Sequence, residues 1–390
     1  MVYQNRTYLD YNATAPILDE VLEEIRTGAW PMGNPSSVHT CGKKAKRKMG
    51  EVKSYLYDLF QLGEREYELF FHSGATEGIN SLIKSKAFES FEKNRHFVFL
   101  YALSDHSCVV NQIDYIQSLG LKSHALAVDH HGQIQWEQIA DVLEGMNLDQ
   151  TDILLNWTWV NNETGVVNSL DQLSLIKEKF PVMIHVDAVQ SIGKIREFNQ
   201  LNSIADAYTF SAHKFGALKG IGFSFVKPHF MKALMNGGGQ QDKLRSGTEN
   251  TWGIFSIQTA LEVMKERYQF DEQNEAKLYI EERLRQLIGD KGHIAGEGAP
   301  QRNGNTLYFI LNDIKAQTVS MALDMGGMDV SNGSACSSGA VIPSRVLMAM
   351  GYSEDQAISA IRLSFSAFFK KEEAIELWPR LESVLKRFVS

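Results

Sequence analysis

Cysteine is scarce in this chain. Cys41, Cys108 and Cys336 are the only three in 390 residues, too few and too widely spaced for a disulfide framework, and such sparse use suits a reducing compartment. Long hydrophobic runs are missing too: none approaches the roughly 18 apolar residues that span a bilayer. Residues 1–10 lack the charged-then-apolar pattern of a secretory leader. The expectation is a cytoplasmic protein without a membrane partner. Nor is there a surplus of positive charge. Thirty-nine Lys and Arg against 47 Asp and Glu give a net charge of −8 and a pI near 5.8, so nucleic acid is not an expected direct ligand. What remains is a chain that is 44% hydrophobic and long enough for a large domain and a smaller one.

The most informative stretch is Ala207-Tyr208-Thr209-Phe210-Ser211-Ala212-His213-Lys214, followed by a glycine-rich run to Phe223. A lysine that ends an apolar strand and is enclosed by small residues loses stability in its charged form, as an imine-forming nucleophile requires. A strand-end lysine reaching for water fits the same local pattern. Two upstream stretches decide between these readings. The run Val182-Met183-Ile184-His185-Val186 ends in Asp187, a carboxylate placed where α/β sheets bind ligands and suited to a protonated pyridine nitrogen. Tyr67 to Phe71 reads as a strand, and His72-Ser73-Gly74-Ala75-Thr76 then opens a helix whose free N–H groups, with the Thr76 hydroxyl, suit a phosphate. Phosphate loop, pyridinium partner and imine lysine together describe a pyridoxal 5′-phosphate site.

These residues carry a family resemblance. In order along the chain stand YLDYNATAP from Tyr8, NPSSVH from Asn34, FHSGATEGIN from Phe71, DHSCVVN from Asp105, VNNETGVVN from Val160, HVDAVQSIG from His185, SAHKFGALKGIG from Ser211, GGGQQDKLRSGTEN from Gly237, SNGSACSSG from Ser331 and AIRLSFS from Ala360. The chain resembles the cysteine desulfurases of the NifS/IscS type, within the class V aminotransferase superfamily of fold-type I pyridoxal enzymes. The resemblance implies an α/β fold, with a large domain built on a mainly parallel seven-stranded sheet and a smaller α+β domain. The expected division is 15–262 for the large domain, and 1–14 with 263–390 for the small one.

The resemblance also implies roles. Lys214 holds the cofactor and moves protons, His106 stacks on its ring and assists proton transfer, and Cys336 takes sulfur from L-cysteine as a persulfide. Ala75, Thr76, Asn162, Asp187, Gln190, Ser211 and His213 join His106 and Lys214 as cofactor-binding residues, with Gln190 beside the phenolic oxygen. Asn162 and Arg362 are expected to bind the substrate, Arg362 through its carboxylate, and no metal is expected. Thr248 is expected to reach the cofactor phosphate of a neighbouring subunit, which implies a homodimer. A sulfur-acceptor protein is the further expected partner, serving iron–sulfur clusters, thiolated tRNA or thiamine. Each of these stretches has a plainer reading by itself: His106 as a structural histidine, 237–250 as a surface loop, Cys108 as a small buried filler.

Other readings of the whole remain open, namely a selenocysteine lyase or another class V enzyme with Cys336 peripheral, or a catalytically silent sulfur-relay scaffold. One stretch departs from the family pattern. Where a Gly-Arg-Phe-Thr-Thr type of run is common after the arginine, this chain has Ser366-Ala367-Phe368-Phe369-Lys370. Elsewhere, helical spacing predicts an amphipathic helix over 271–288, and Pro379 predicts a kink or a pair of short helices near the C-terminus.

Overall fold

A computed structural model describes residues 2–3, 6–332 and 342–389; Cys336 lies outside the described residues. Among them the strands are β1 (Val2–Tyr3), β2 (Arg6–Tyr8), β3 (Glu68–His72), β4 (His96–Ala102), β5 (Lys122–Leu126), β6 (Thr151–Thr158), β7 (Met183–Asp187), β8 (Ala207–Ser211), β9 (Gly222–Val226), β10 (Gly292–Ile294), β11 (Thr306–Leu311), β12 (Met328–Asp329), β13 (Ser331–Asn332) and β14 (Ala360–Ser364).

Seven of them form one sheet in the order β3-β9-β8-β7-β6-β4-β5. The pairs from β8 through β7, β6 and β4 to β5 are parallel, whereas β9 runs antiparallel to both β8 and β3. Burial on both faces explains the near-continuous apolar runs in these strands. Alternate side chains feed two different cores, as a period of two requires. Leu69, Phe71, Val98, Leu100, Ile153 and Leu155 join one core, and Phe70, Phe97, Phe99 and Leu154 join the other.

A second, antiparallel sheet has the order β10-β11-β14-β13. The helices Phe270–Ile288 and Lys371–Val389 contribute to its own apolar core, through Ala276, Ile280 and Leu284 from the first and Leu377, Leu381 and Leu385 from the second; Leu9 joins them. A small sheet, β1-β2-β12, ties the N-terminal segment to this half. Pro379 neither ends nor divides its helix, which runs unbroken from Lys371 to Val389. Buried Trp378 and Leu381 hold the turn on either side, and both Pro379 and Ile375, whose carbonyl lacks its helical donor, lie on the exposed face.

Candidate functional site

The parallel strands all end at one edge of the large sheet, where an α/β sheet opens a crevice. Asp187 is the last residue of β7, Ser211 of β8 and Thr158 of β6, while His106 follows β4 after a short turn. These residues line a single cavity of about 680 Å³, the size of a small-molecule site. Ala75, Thr76, Asn162, Gln190, His213, Lys214 and Arg362 line it as well. Thr248 is exposed and is not among the lining residues. Its loop instead packs beside β3, where Gln241 bonds both the Phe71 N–H, at 2.6 Å, and the Phe71 carbonyl, at 2.9 Å.

Lys214 follows β8 on a short 3₁₀ turn, and its amine donates to the carbonyls of Asn12 at 2.7 Å and Ala13 at 2.9 Å. The N-terminal segment, more than the glycines after Lys214, thus encloses this amine. Burial, helped by the Arg362 guanidinium, brings the amine down to about 8. Asp187 is 7% exposed; burial pushes its carboxyl up to about 6, against the pull of the Val189 N–H at 3.0 Å and of Lys214. Near neutral pH this places a carboxylate and a partly neutral amine in one cavity.

The helix Ala75–Glu92 points its N-terminus into the cavity, and no side chain caps it. Unpaired N–H groups of its first turn therefore face the cavity. Glu77 in that turn is neutralised: burial works against its charge, but Arg245 at 2.8 Å and the Ser73 N–H at 2.8 Å hold it down to about 2. Behind this loop the His72 ring sits between two glycines. A Cβ on either Gly78 or Gly222 would come within 2.6 Å of that ring, so both positions require glycine.

His106 faces the cavity, and burial followed by the charge of Lys214 lowers it to about 4. Its Nδ1 accepts the Cys108 N–H at 3.2 Å and lies 3.1 Å from the Cys108 Sγ. Two donors on Nδ1 leave the ring proton on Nε2. Cys108 is therefore not a buried filler: it is part-exposed, lines the cavity and fixes the tautomer of His106.

From the second sheet, Arg362 on β14 is 6% exposed and bonds Asp10 Oδ1 at 2.7 Å and the Asn162 carbonyl at 3.1 Å. Its Nε is buried without a partner among the described residues. Sequence reasoning missed Asp10, and it also missed Asn12, whose side chain bonds Thr306 at 2.8 Å and Asn305 at 3.1 Å. Both lie in the YLDYNATAP stretch, which was the available signal. A second cavity of similar size shares Thr14, Lys214 and Lys219 with the first and is lined by 365–368, which overlaps the stretch 366–370 that departs from the family pattern.

Beneath the cavity a file of buried hydrogen bonds crosses five adjacent strands, β3, β9, β8, β7 and β6, and ends in the turn after β4. It runs from His72 through Ser224 (2.9 Å), Thr209 (2.9 Å), His185 (2.9 Å) and Asn156 (2.7 Å) to Asp105 (2.8 Å). The donors all run one way. Asn156 donates to the Asp105 carboxylate, so its oxygen must accept from His185 Nδ1. Burial lowers His185 to about 3, so its neutral ring accepts at Nε2 from Thr209. Ser224 then donates to Thr209 and His72 Nε2 to Ser224, leaving His72 Nδ1 without a hydrogen-bond partner among the described residues.

A strand-end lysine, a buried carboxylate and an uncapped helix N-terminus around one cavity define a class, and the chain belongs to the class-V aminotransferase family, whose model matches residues 7–377. Within that family it falls among the cysteine desulfurases of the NifS/IscS type. It is 31% identical to the putative cysteine desulfurase IscS 1 of Bacillus subtilis, over 98% of this chain and 99% of that protein. Among solved structures, a NifS-like protein is 30% identical with a TM-score of 0.84, covering 98% of this chain and all of that one. A NifS-like protein from Rickettsia africae is 26% identical with a TM-score of 0.83, covering 97% and 99%. Among the described residues no helix is long and apolar enough to cross a membrane.

Proposed function

We propose that this cysteine desulfurase uses pyridoxal 5′-phosphate, held at Lys214, to convert L-cysteine to L-alanine, with the sulfur taken as a persulfide on Cys336. The observation that carries the reading is the convergence of Lys214, Asp187, the bare helix N-terminus and Arg362 on one cavity. The donor set fits the cofactor. The first-turn N–H groups of the helix Ala75–Glu92, with the Thr76 hydroxyl, suit its phosphate, the Asp187 carboxylate its ring nitrogen, the His106 ring its face and the Gln190 amide its phenolic oxygen.

When bound, the cofactor supplies an electron-accepting ring conjugated to the substrate's α-carbon. Asp187 keeps the ring nitrogen protonated by accepting its hydrogen bond. The Arg362 guanidinium, which lines the cavity, binds the substrate carboxylate, and Asn162 flanks it. Lys214, lowered to about 8, takes and returns the proton at the substrate's α-carbon. The Cys336 thiolate attacks the substrate sulfur: an S–S bond forms, the Cβ–S bond breaks, and its electron pair with one proton completes L-alanine. With Nδ1 taken by Cys108, His106 keeps its free N–H at Nε2 as a donor, so the thiol proton passes to another base of the cofactor site.

Cys336 lies outside the described residues, and the described residues on either side of that segment border the site. Asn332 lines the cavity. On the far side of the segment, Ser344 bonds Glu163 at 2.5 Å and Arg345 bonds the Asp105 carbonyl, next to His106. Residues 15–262 act here as a cofactor-binding domain, and 1–14 with 263–390 as a smaller domain that brings the substrate arginine and the thiol; the separate apolar core of the second sheet supports that division. The working form is a homodimer in which Thr248 serves the neighbouring subunit's site. Its exposure and its position away from its own cavity support this. Persulfide sulfur then passes to an acceptor protein.

The test is to assay alanine and persulfide from L-cysteine in the wild type, in Cys336→Ala and in Lys214→Ala. Cys336→Ala should keep the cofactor's visible absorbance and lose ~10⁴-fold or more of alanine formation; Lys214→Ala should lose both. Normal turnover by Cys336→Ala refutes the thiol's role, and transfer of amine to a keto acid in place of alanine release would establish an aminotransferase.

A further inference from the structure

Lys194 stands apart from the groups used so far. It is 3% exposed, follows Gln190 by four residues, and lines the second cavity, not the first. Its Nζ donates to Gln190 Oε1. Gln190 Nε2 in turn donates to the Asn12 carbonyl at 3.0 Å, the same oxygen that accepts the Lys214 amine at 2.7 Å. Because the Gln190 NH₂ already donates to the Asn12 carbonyl, the amide oxygen is the atom that faces the Lys194 amine. The NH₂ group faces Asn12 and the cavity.

We propose that Lys194 is a positioning residue, which locks the Gln190 amide so that an N–H, and never the carbonyl oxygen, is presented to the phenolic oxygen of the cofactor. The inference rests on the reading given under Proposed function. A flipped amide would put a carbonyl oxygen against a phenolate and raise the proton affinity of the nitrogen joined to Lys214. Lys194 thereby sets how acidic that nitrogen is without touching the cofactor. Burial above all, and then Lys214 and Arg362, disfavour a charge on Lys194 and bring its amine well below the usual lysine range, while Asp10 favours the charge. A change in net charge must therefore be separated from a change in amide orientation.

The experiment is a pH titration of the visible absorbance of the Lys214-bound chromophore in purified protein reconstituted with pyridoxal phosphate. Lys194→Met should move the midpoint upward by about 0.4 to 1 pH unit, the equivalent of one hydrogen bond. Gln190→Ala should move it similarly, and the double variant no further than Gln190→Ala alone, because Lys194 acts through Gln190. Lys194→Gln keeps a donor at that place and should hold the wild-type midpoint. Should the buried methionine prevent folding, Lys194→Ala is read in its place. An unmoved midpoint in a folded, loaded Lys194→Met protein overturns the inference. Full additivity with Gln190→Ala does so too, as does a Lys194→Gln shift as large as that of methionine. A wild type that forms no such chromophore overturns the cofactor reading itself and this inference with it.

Discussion

The two main sheets meet the cavity in different ways. The seven-stranded sheet offers strand ends: Asp187, Ser211 and Thr158 are terminal residues, and Lys214 and His106 lie just beyond. The four-stranded sheet offers a residue from within a strand. Arg362 is third of five in β14, paired across to Tyr308 on one side and Ser331 on the other. Strand ends leave side chains free to wrap a ligand, whereas a mid-strand position fixes a guanidinium rigidly. The comparison suggests that the first sheet is built to hold a cofactor and the second to choose what reacts with it.

Replacing Arg362 breaks the second arm alone. Arg362→Ala should cost on the order of 10²–10³-fold in kcat/KM for L-cysteine, since it also leaves Asp10 unpaired, while cofactor absorbance stays at the wild-type level. Loss of the cofactor in that variant would mean that the sheets do not divide the work in this way.

The first arm is sharpened by pH. An amine near 8 is roughly one-tenth unprotonated at pH 7, against less than a thousandth for an ordinary lysine near ~10.4. The rate at which cofactor-free protein takes up pyridoxal phosphate should therefore rise about tenfold per pH unit below 8 and level off above it. A rate still climbing steeply toward pH 10 would show that burial does not tune Lys214.

The smallest effect concerns stability. Asp187 is raised to about 6 in the folded protein, so the folded state binds a proton more tightly than the unfolded one. Its cost to stability is absent below the unfolded value near ~3.9 and grows as pH rises toward 6. Asp187→Asn should thus stabilise the cofactor-free protein by ~1–3 kcal/mol at pH 7.5, with no gain at pH 4, while removing activity. Equal melting temperatures at pH 7.5 would count against a buried, uncompensated carboxylate.

Much of this was legible before any coordinates. The apolar runs that read as strands became β3, β4, β6, β7 and β8, because a chain buried on both faces has little choice of side chain. Lys214 and Asp187 were legible for the same reason: a charged residue that closes such a run has to face a crevice. What escaped were partners far away in sequence. Asp10 meets Arg362 across 352 positions, and Asn12 meets Lys214 across 202. Cys108 read as a filler because its contact with His106 depends on the direction of a short turn. Of the kink or the pair of short helices that Pro379 predicts, the pair does not form, because apolar contacts on either side carry one helix through. Cys336, the residue on which the proposed sulfur chemistry turns, lies outside the described residues.

The polar file beneath the cavity has a consequence for how this chain can change. Because every donor points the same way, no link can be exchanged alone. Valine in place of Thr209 would orphan a ring nitrogen on one neighbour and a hydroxyl on the other, two desolvation costs of ~1–3 kcal/mol each from a single substitution. The six side chains therefore behave as one inherited unit, to be kept together or rewritten together.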